Sequence, residues 1–395
     1  MREPKSRLDD LNDIILNVAN KNGGLLDLST VPDSQLKLPV SVLRAVPASF
    51  KDGSAEPSLT YGLDYFSPGM KVVVLGGNNH ILSYIAANQT APGGFVINCF
   101  SNPSHMEKSQ AAFKELPKKQ FPNLQFHYTP NGDLTIRYPE IKTFLDKHAV
   151  EQVSDYLQLQ RFIADMRNKN PLIPDNSVDM VVLDTPNFDI SSEKLWNLAA
   201  DVYRILNRGG IFLFSLLLSD EKVVENGCLW EGDMERFTHS LKFHGLRWLG
   251  RSELPYRVIN GKEVRYYNFA AFKGKEGACM ERKQAVIYNG PWSEVKDDDG
   301  HVFPRGKRVA VCDKTFNVMS KPPYSGQFTY LRPYIDIPLE QAAPFPCASG
   351  IIFRHPQETK GMMEMNPVSQ DCCGPEDSTG TGDCCDPNGD SSGCC

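Results

Sequence analysis

The stretch Ile173-Pro174-Asp175-Asn176-Ser177-Val178-Asp179-Met180-Val181-Val182-Leu183-Asp184 pairs a polar turn with an unbroken apolar run that ends on a carboxylate. A run without alternation reads as a strand buried on both faces, since a half-exposed strand would alternate apolar with polar. Downstream, Ser192 to Leu206 has helical character after the candidate caps Ser191 and Ser192. It stops at Asn207-Arg208-Gly209-Gly210 and gives way to a second buried run, Ile211-Phe212-Leu213-Phe214. Strand, helix and strand in this order predict parallel neighbours joined by a crossover helix.

Working outward, the same alternation continues on both sides. Upstream, Met70-Lys71-Val72-Val73-Val74-Leu75 is a β-branched run ending in Gly76-Gly77, followed by helical residues from Ile81 to Ala87. Phe95-Val96-Ile97 and Leu124-Gln125-Phe126-His127-Tyr128 supply two more strands, separated by a helix over Ser104 to Leu116. Glu140 to Arg167 is charged and helix-compatible, and longer than a crossover requires, so it reads as an insertion. After a helix over Asp233 to Phe243 come strands near Leu246 to Leu249 and over Tyr266 to Phe272, joined by a loop. That pair predicts one antiparallel member at the edge of the sheet.

The chain has 395 residues, 42 basic against 48 acidic, for a net charge of -6, with 41% hydrophobic and 23% charged residues. This is globular composition, and its acidity argues against nucleic acid or an anionic membrane as partner. No apolar run nears the roughly 20 residues of a membrane span. The polar segment Met1 to Asp13 lacks a secretory h-region, so a cytoplasmic protein is expected.

The block from Pro174 to Gly210 resembles class I S-adenosylmethionine-dependent methyltransferases, which show a Pro-x-x-Ser-x-Asp entry to the fourth strand and an Arg-x-Leu-x-x-Gly-Gly turn before the fifth. Glu225-Asn226-Gly227-Cys228-Leu229-Trp230, and the region from Cys279 through Asp297-Asp298-Asp299-Gly300-His301 to Cys312, are similar to the arsenite methyltransferase branch. The resemblance implies a Rossmann-like seven-stranded sheet, S-adenosylmethionine as cofactor, and methyl transfer to a soft acceptor, trivalent arsenic or a thiol. It puts Gly76, Gly77, Asn78 and Asp184 beside the cofactor and gives Cys228 the acceptor. Measured against the family pattern, Val74 stands where an acidic residue closes the first strand. Asn78 and His80 replace the second and third glycines of the Gly-x-Gly-x-Gly turn, and Phe100 occupies the place of the ribose-binding carboxylate. These departures support the alternative of a lapsed enzyme that binds a soft metal or metalloid or regulates an active paralogue.

Four segments result: a leader or lid at 1–65, the methyltransferase-like domain at 66–273, a small β-containing module at 274–361, and a tail at 362–395. The tail is too poor in apolar residues to bury a core and is expected to stay flexible until it binds something. Of 11 cysteines, Cys372, Cys373, Cys384, Cys385, Cys394 and Cys395 form three vicinal pairs there. Adjacent thiols grip soft ions well, so these six are candidate ligands for a metal or metalloid. Cys279 and Cys312 fall near strand edges of the module and could approach each other, with nothing in their spacing that demands a metal. The acidic run Asp297 to Asp299 with His301 reads equally as hard-ion ligands or as a solvated hairpin turn.

Overall fold

The computed structural model describes residues 65–75, 80–115, 121–184, 192–222, 229–252, 255–347 and 350–360. Residues 1–64 of the leader, the tail and Cys228 lie outside them. In chain order the first unit runs β1 (Lys71–Leu75), α1 (His80–Thr90), β2 (Phe95–Phe100), α2 (Pro103–Glu115) and β3 (Leu124–Tyr128). It continues with α3 (Tyr138–Lys147), α4 (Val153–Lys169), β4 (Val178–Asp184), α5 (Ser192–Ile205), β5 (Leu206–Ser219) and β6 (Leu229–Trp230). It closes with α6 (Met234–Ser240), β7 (His244–Arg251), β8 (Arg257–Ile259) and β9 (Lys262–Phe272).

These strands make a doubly wound, Rossmann-like sheet in the order β3-β2-β1-β4-β5-β9-β7, with β6 and β8 attached to β5 and β9. The sheet therefore has nine strands among the described residues rather than seven. β1 to β5 are parallel, and β9 runs antiparallel to both β5 and β7. The antiparallel member thus lies inside the sheet, not at its edge. An 11-residue β9 provides two long hydrogen-bonding edges, and β7 takes the outer one. The expected long insertion is two helices: α3 starts at Tyr138 with Pro139 in its first turn, and α4 is opened by a capping box between Gln152 and Asp155.

Successive residues of each central strand face opposite sides, so one apolar run feeds two cores. Val72, Val74, Val96, Met180, Val182 and Leu213 pack on one face, beneath Leu82, Tyr84 and Ala86 of α1. Val73, Leu75, Val181, Leu183, Phe212 and Phe214 pack on the other, beneath Leu195, Leu198, Ala199 and Val202 of α5. Each such side chain stabilises the fold by about 1.5–3 kcal/mol on burial. That explains why these strands show no alternation.

The block that carries the resemblance acts as scaffolding at the amino edge of the sheet. Asp179 accepts from the Lys71 backbone N–H at 2.9 Å and from Asn207 Nδ2 at 2.9 Å, tying β4 to the starts of β1 and β5. Arg204 donates to Asp201 and Asp175 and to the Ile173 carbonyl at 3.1 Å, closing the turn before β4 onto the end of α5. Gly209 has φ 83°, a left-handed conformation that glycine adopts without strain, and its N–H reaches the Lys273 carbonyl at 2.6 Å.

Beyond Phe272 lie β10 (Met280–Glu281), β11 (Gln284–Tyr288), β12 (Glu294–Lys296), β13 (Val302–Pro304), β14 (Arg308–Val311), α7 (Asp313–Met319), β15 (Phe328–Leu331), β16 (Ala343–Pro344) and α8 (Pro356–Thr359). β14-β11-β15 form a three-stranded sheet, with two-stranded pairs β10-β16 and β12-β13 beside it. Val286, Tyr288, Phe303, Val311, Phe316 and Phe328 make its core. Among the described residues, no helix is long and apolar enough to cross a membrane.

Candidate functional site

Strand order reverses between β1 and β4, because β1 hands on to β2 and β3 on one side while β4 hands on to β5 on the other. The crevice outside the carboxyl ends of these strands is where open α/β sheets bind ligands. Asp184 is the last residue of β4, paired with Ser215, and so its backbone stands at this switch point. Its side chain lies outside the described residues, as do Gly76, Gly77 and Asn78. His80 begins α1.

The described residues around the crevice are mostly apolar. Val74 and Leu75 are fully buried at the end of β1, one in each core. Phe100 is fully buried at the end of β2, its ring 5.9 Å from that of Phe126. A carboxylate at either place would have to be buried, and neither Val74 nor Phe100 can accept a hydrogen bond from a ribose hydroxyl. The acidic grip that the resemblance implies for S-adenosylmethionine therefore does not fit these residues.

One polar group contrasts with that background. Asn98, on β2, is fully buried, and among the described residues neither Oδ1 nor Nδ2 has a hydrogen-bond partner. Leaving both ends of an amide unpaired costs about 1–3 kcal/mol per group, which marks the position as one to explain. Nearby Cys99 faces the opposite core, and burial pushes its thiol up to about 12, so it stays protonated and inert.

In the small module, Cys279, Cys312 and Cys347 come from three separate segments, and their sulfur atoms all lie within 4.8 Å of one another. The approach of Cys279 to Cys312 was legible from the strand edges. Cys347 was not, since Phe345-Pro346-Cys347 carries no spacing signal and only the β10-β16 pairing brings it in.

Asp297, Asp299 and His301 also cluster, but hydrogen bonds within the β12-β13 turn account for them. Asp297 accepts from the N–H groups of Asp299 at 3.0 Å and His301 at 2.9 Å, and pairs with His301 Nδ1 at 2.9 Å. Although burial opposes it, this pairing holds the Asp297 carboxyl below its ordinary range, and it raises the His301 imidazole. Lys275 reaches Asp299 at 3.2 Å, and Asp298 accepts from the Gly245 N–H at 3.2 Å, so the turn latches the module onto β7. The turn reading thus prevails over the hard-ion one.

Residues 275–364 match a family model described as a domain of unknown function. No curated protein matches the sequence. Among solved structures, the chain is similar to an arsenic(III) S-adenosylmethionine methyltransferase from Chlamydomonas reinhardtii, with a TM-score of 0.41 and 18% identity over 76% of this chain and 98% of that one. It is also similar to a SAM-dependent methyltransferase from Aquifex aeolicus, with a TM-score of 0.32 and 12% identity over 57% and 96% of the two chains. A third, from Methanosarcina mazei, has a TM-score of 0.33 and 13% identity over 55% and 98%.

Proposed function

We propose that this chain is a methyltransferase-fold protein whose cofactor grip has lapsed, and which holds a soft metal or metalloid ion or regulates an active paralogue. The burial of Val74 and Phe100 in the two places where the resemblance calls for carboxylates carries this reading. Restoring either acid would place an unpaired charge in a packed core, at a cost of several kcal/mol. In this account the vicinal cysteines Cys372, Cys373, Cys384, Cys385, Cys394 and Cys395 add soft-ion capacity to the tail.

A second reading is favoured by the unpartnered Asn98 amide, which can both donate to and accept from a polar ligand. It is S-adenosylmethionine-dependent methyl transfer to trivalent arsenic or a thiol. Gly76, Gly77, Asn78 and Asp184 would then border the cofactor, and Cys228 would present the acceptor.

Calorimetric titration with S-adenosylmethionine separates the two. The first reading expects no heat and no thermal protection at millimolar ligand; saturable heat with a rise in Tm overturns it in favour of the second. In the same preparation, truncation before Cys372 is expected to leave folding unchanged and lower the amount of Zn(II) or As(III) bound. An unchanged stoichiometry removes the tail from the account.

A further inference from the structure

We propose that Cys279, Cys312 and Cys347 form a three-sulfur site for a soft, three-coordinate centre of the trivalent-metalloid class, loaded by arsenite. The site is separate from the sheet crevice and from the tail. It goes beyond the preceding reading, since it stands whether or not the sheet binds S-adenosylmethionine.

The fold builds this site from fixed elements. Cys279 immediately precedes β10, and Cys347 follows β16 by three residues. The two strands pair antiparallel through Met280 with Pro344 and Glu281 with Ala343, and the Phe345 N–H donates to the Cys279 carbonyl at 2.8 Å. The third thiol comes from the end of β14: Cys312 is buried, and its Sγ accepts from the Thr315 N–H at 3.4 Å. Behind these, Arg354 holds both oxygens of Glu281 at 2.9 and 2.7 Å and Glu358 at 2.8 Å, and Arg282 reaches Asp313 at 2.8 Å. A strand pair, a helix start and a buried ion network thus fix three sulfurs from distant parts of the sequence. Holding donors by such outer contacts is what a binding site requires.

The donor set indicates the class of ligand. Free cysteines usually occur singly in cores as small apolar residues, whereas three converging sulfurs suit soft ions. Structural zinc is closed by four ligands in a tetrahedron. Among the described residues, no fourth cysteine, histidine or carboxylate joins this group. A trivalent metalloid needs only three bonds, and with three thiolates it forms a neutral unit, which burial penalises least. Zinc with the same three thiolates would carry a net negative charge.

Loading needs no redox partner. Arsenous acid brings three As–OH groups; three S–As bonds form as three As–O bonds break, and each departing hydroxide leaves as water with one thiol proton. Each thiol gives up its proton as its S–As bond forms. A small cavity of about 30 Å³, bordered by Cys312, Cys347, His301 and Ile351, lies alongside.

The test uses the full-length reduced chain with its six tail cysteines changed to serine. Arsenite is expected to bind at one equivalent, with three sulfur neighbours in the arsenic X-ray absorption spectrum. Cys279→Ser and Cys347→Ser, both at half-buried positions, should leave the Tm close to the parent's. Each should lower the sulfur count to two and weaken arsenite by more than the roughly 10-fold that loss of an outer contact costs. Binding unaffected by these substitutions overturns the proposal. So does a parent spectrum with fewer than three sulfurs, or zinc held more tightly than arsenite through a fourth nitrogen or oxygen donor.

Discussion

The crevice of the large sheet and the thiol cluster of the small module differ in which part of the architecture supplies their chemistry. At the crevice, the fold provides a switch point, but β1 and β2 end there on buried Val74, Leu75 and Phe100. In the module, the sheets are small and irregular, yet they bring three sulfurs within 4.8 Å. A large regular fold positions a site without equipping it, whereas a few short strand pairs can equip one. Function resides in side chains rather than in the fold that carries them, and by that measure the two regions are opposites.

The largest expected effect bears on the module side of this contrast. Arg354 is fully buried between Glu281 and Glu358. Arg354→Met leaves two carboxylates buried without their cation and should cost about 3–5 kcal/mol in urea unfolding. Because Glu281 belongs to β10, arsenite binding should weaken with it. Unfolding free energy within about 0.5 kcal/mol of wild type would show that this network does not hold the sulfur cluster in place.

Next is the seam between the two regions. His244 opens β7, is 4% exposed and stacks on Tyr324 at 6.0 Å. Burial, with a smaller contribution from Lys275, lowers its pKa to about 4. Between the ordinary histidine value and that one, the unfolded chain takes a proton that the folded chain refuses. Stability is therefore complete above about pH 6.5 and falls as the pH drops toward 4, by roughly 3 kcal/mol. His244→Phe keeps the stacking and should flatten that part of the pH profile, which urea unfolding at pH 7 and pH 4.5 would register. An identical slope in wild type and variant would refute the assignment.

The smallest effect carries the opposite sign and sharpens the crevice side. Asn98→Leu removes an unpaired amide from the core and should stabilise the chain by about 1–3 kcal/mol, read as a rise in Tm. A fall in Tm would mean that the amide is satisfied in solution. If S-adenosylmethionine does bind, the same substitution should abolish its thermal protection.

Much of the large sheet was legible because buried parallel strands leave a direct trace: Val72 to Leu75 and Met180 to Leu183 are apolar at every position, and both faces are covered. The place of β9 was not legible. Its apolar end, Tyr266 to Phe272, identifies a buried strand but not which neighbours it has, and strand order depends on how β7 and β5 compete for its two edges. Departures from the family pattern at Val74 and Phe100 could be read directly, and the structure adds that both are sealed into cores. For the acidic turn, the sequence offered two readings of equal weight. Backbone N–H groups of Asp299 and His301 decided between them by occupying Asp297.

By itself the sequence determined the alternation of strands and helices, the replacement of acidic residues by Val74 and Phe100 and the separation of thiols between folded part and tail, because periodicity and residue type are local properties. Only the tertiary structure decided that Cys279, Cys312 and Cys347 meet. Residues far apart along the chain become neighbours through β10-β16 pairing and the packing of α7, and no spacing in the sequence encodes those long-range contacts.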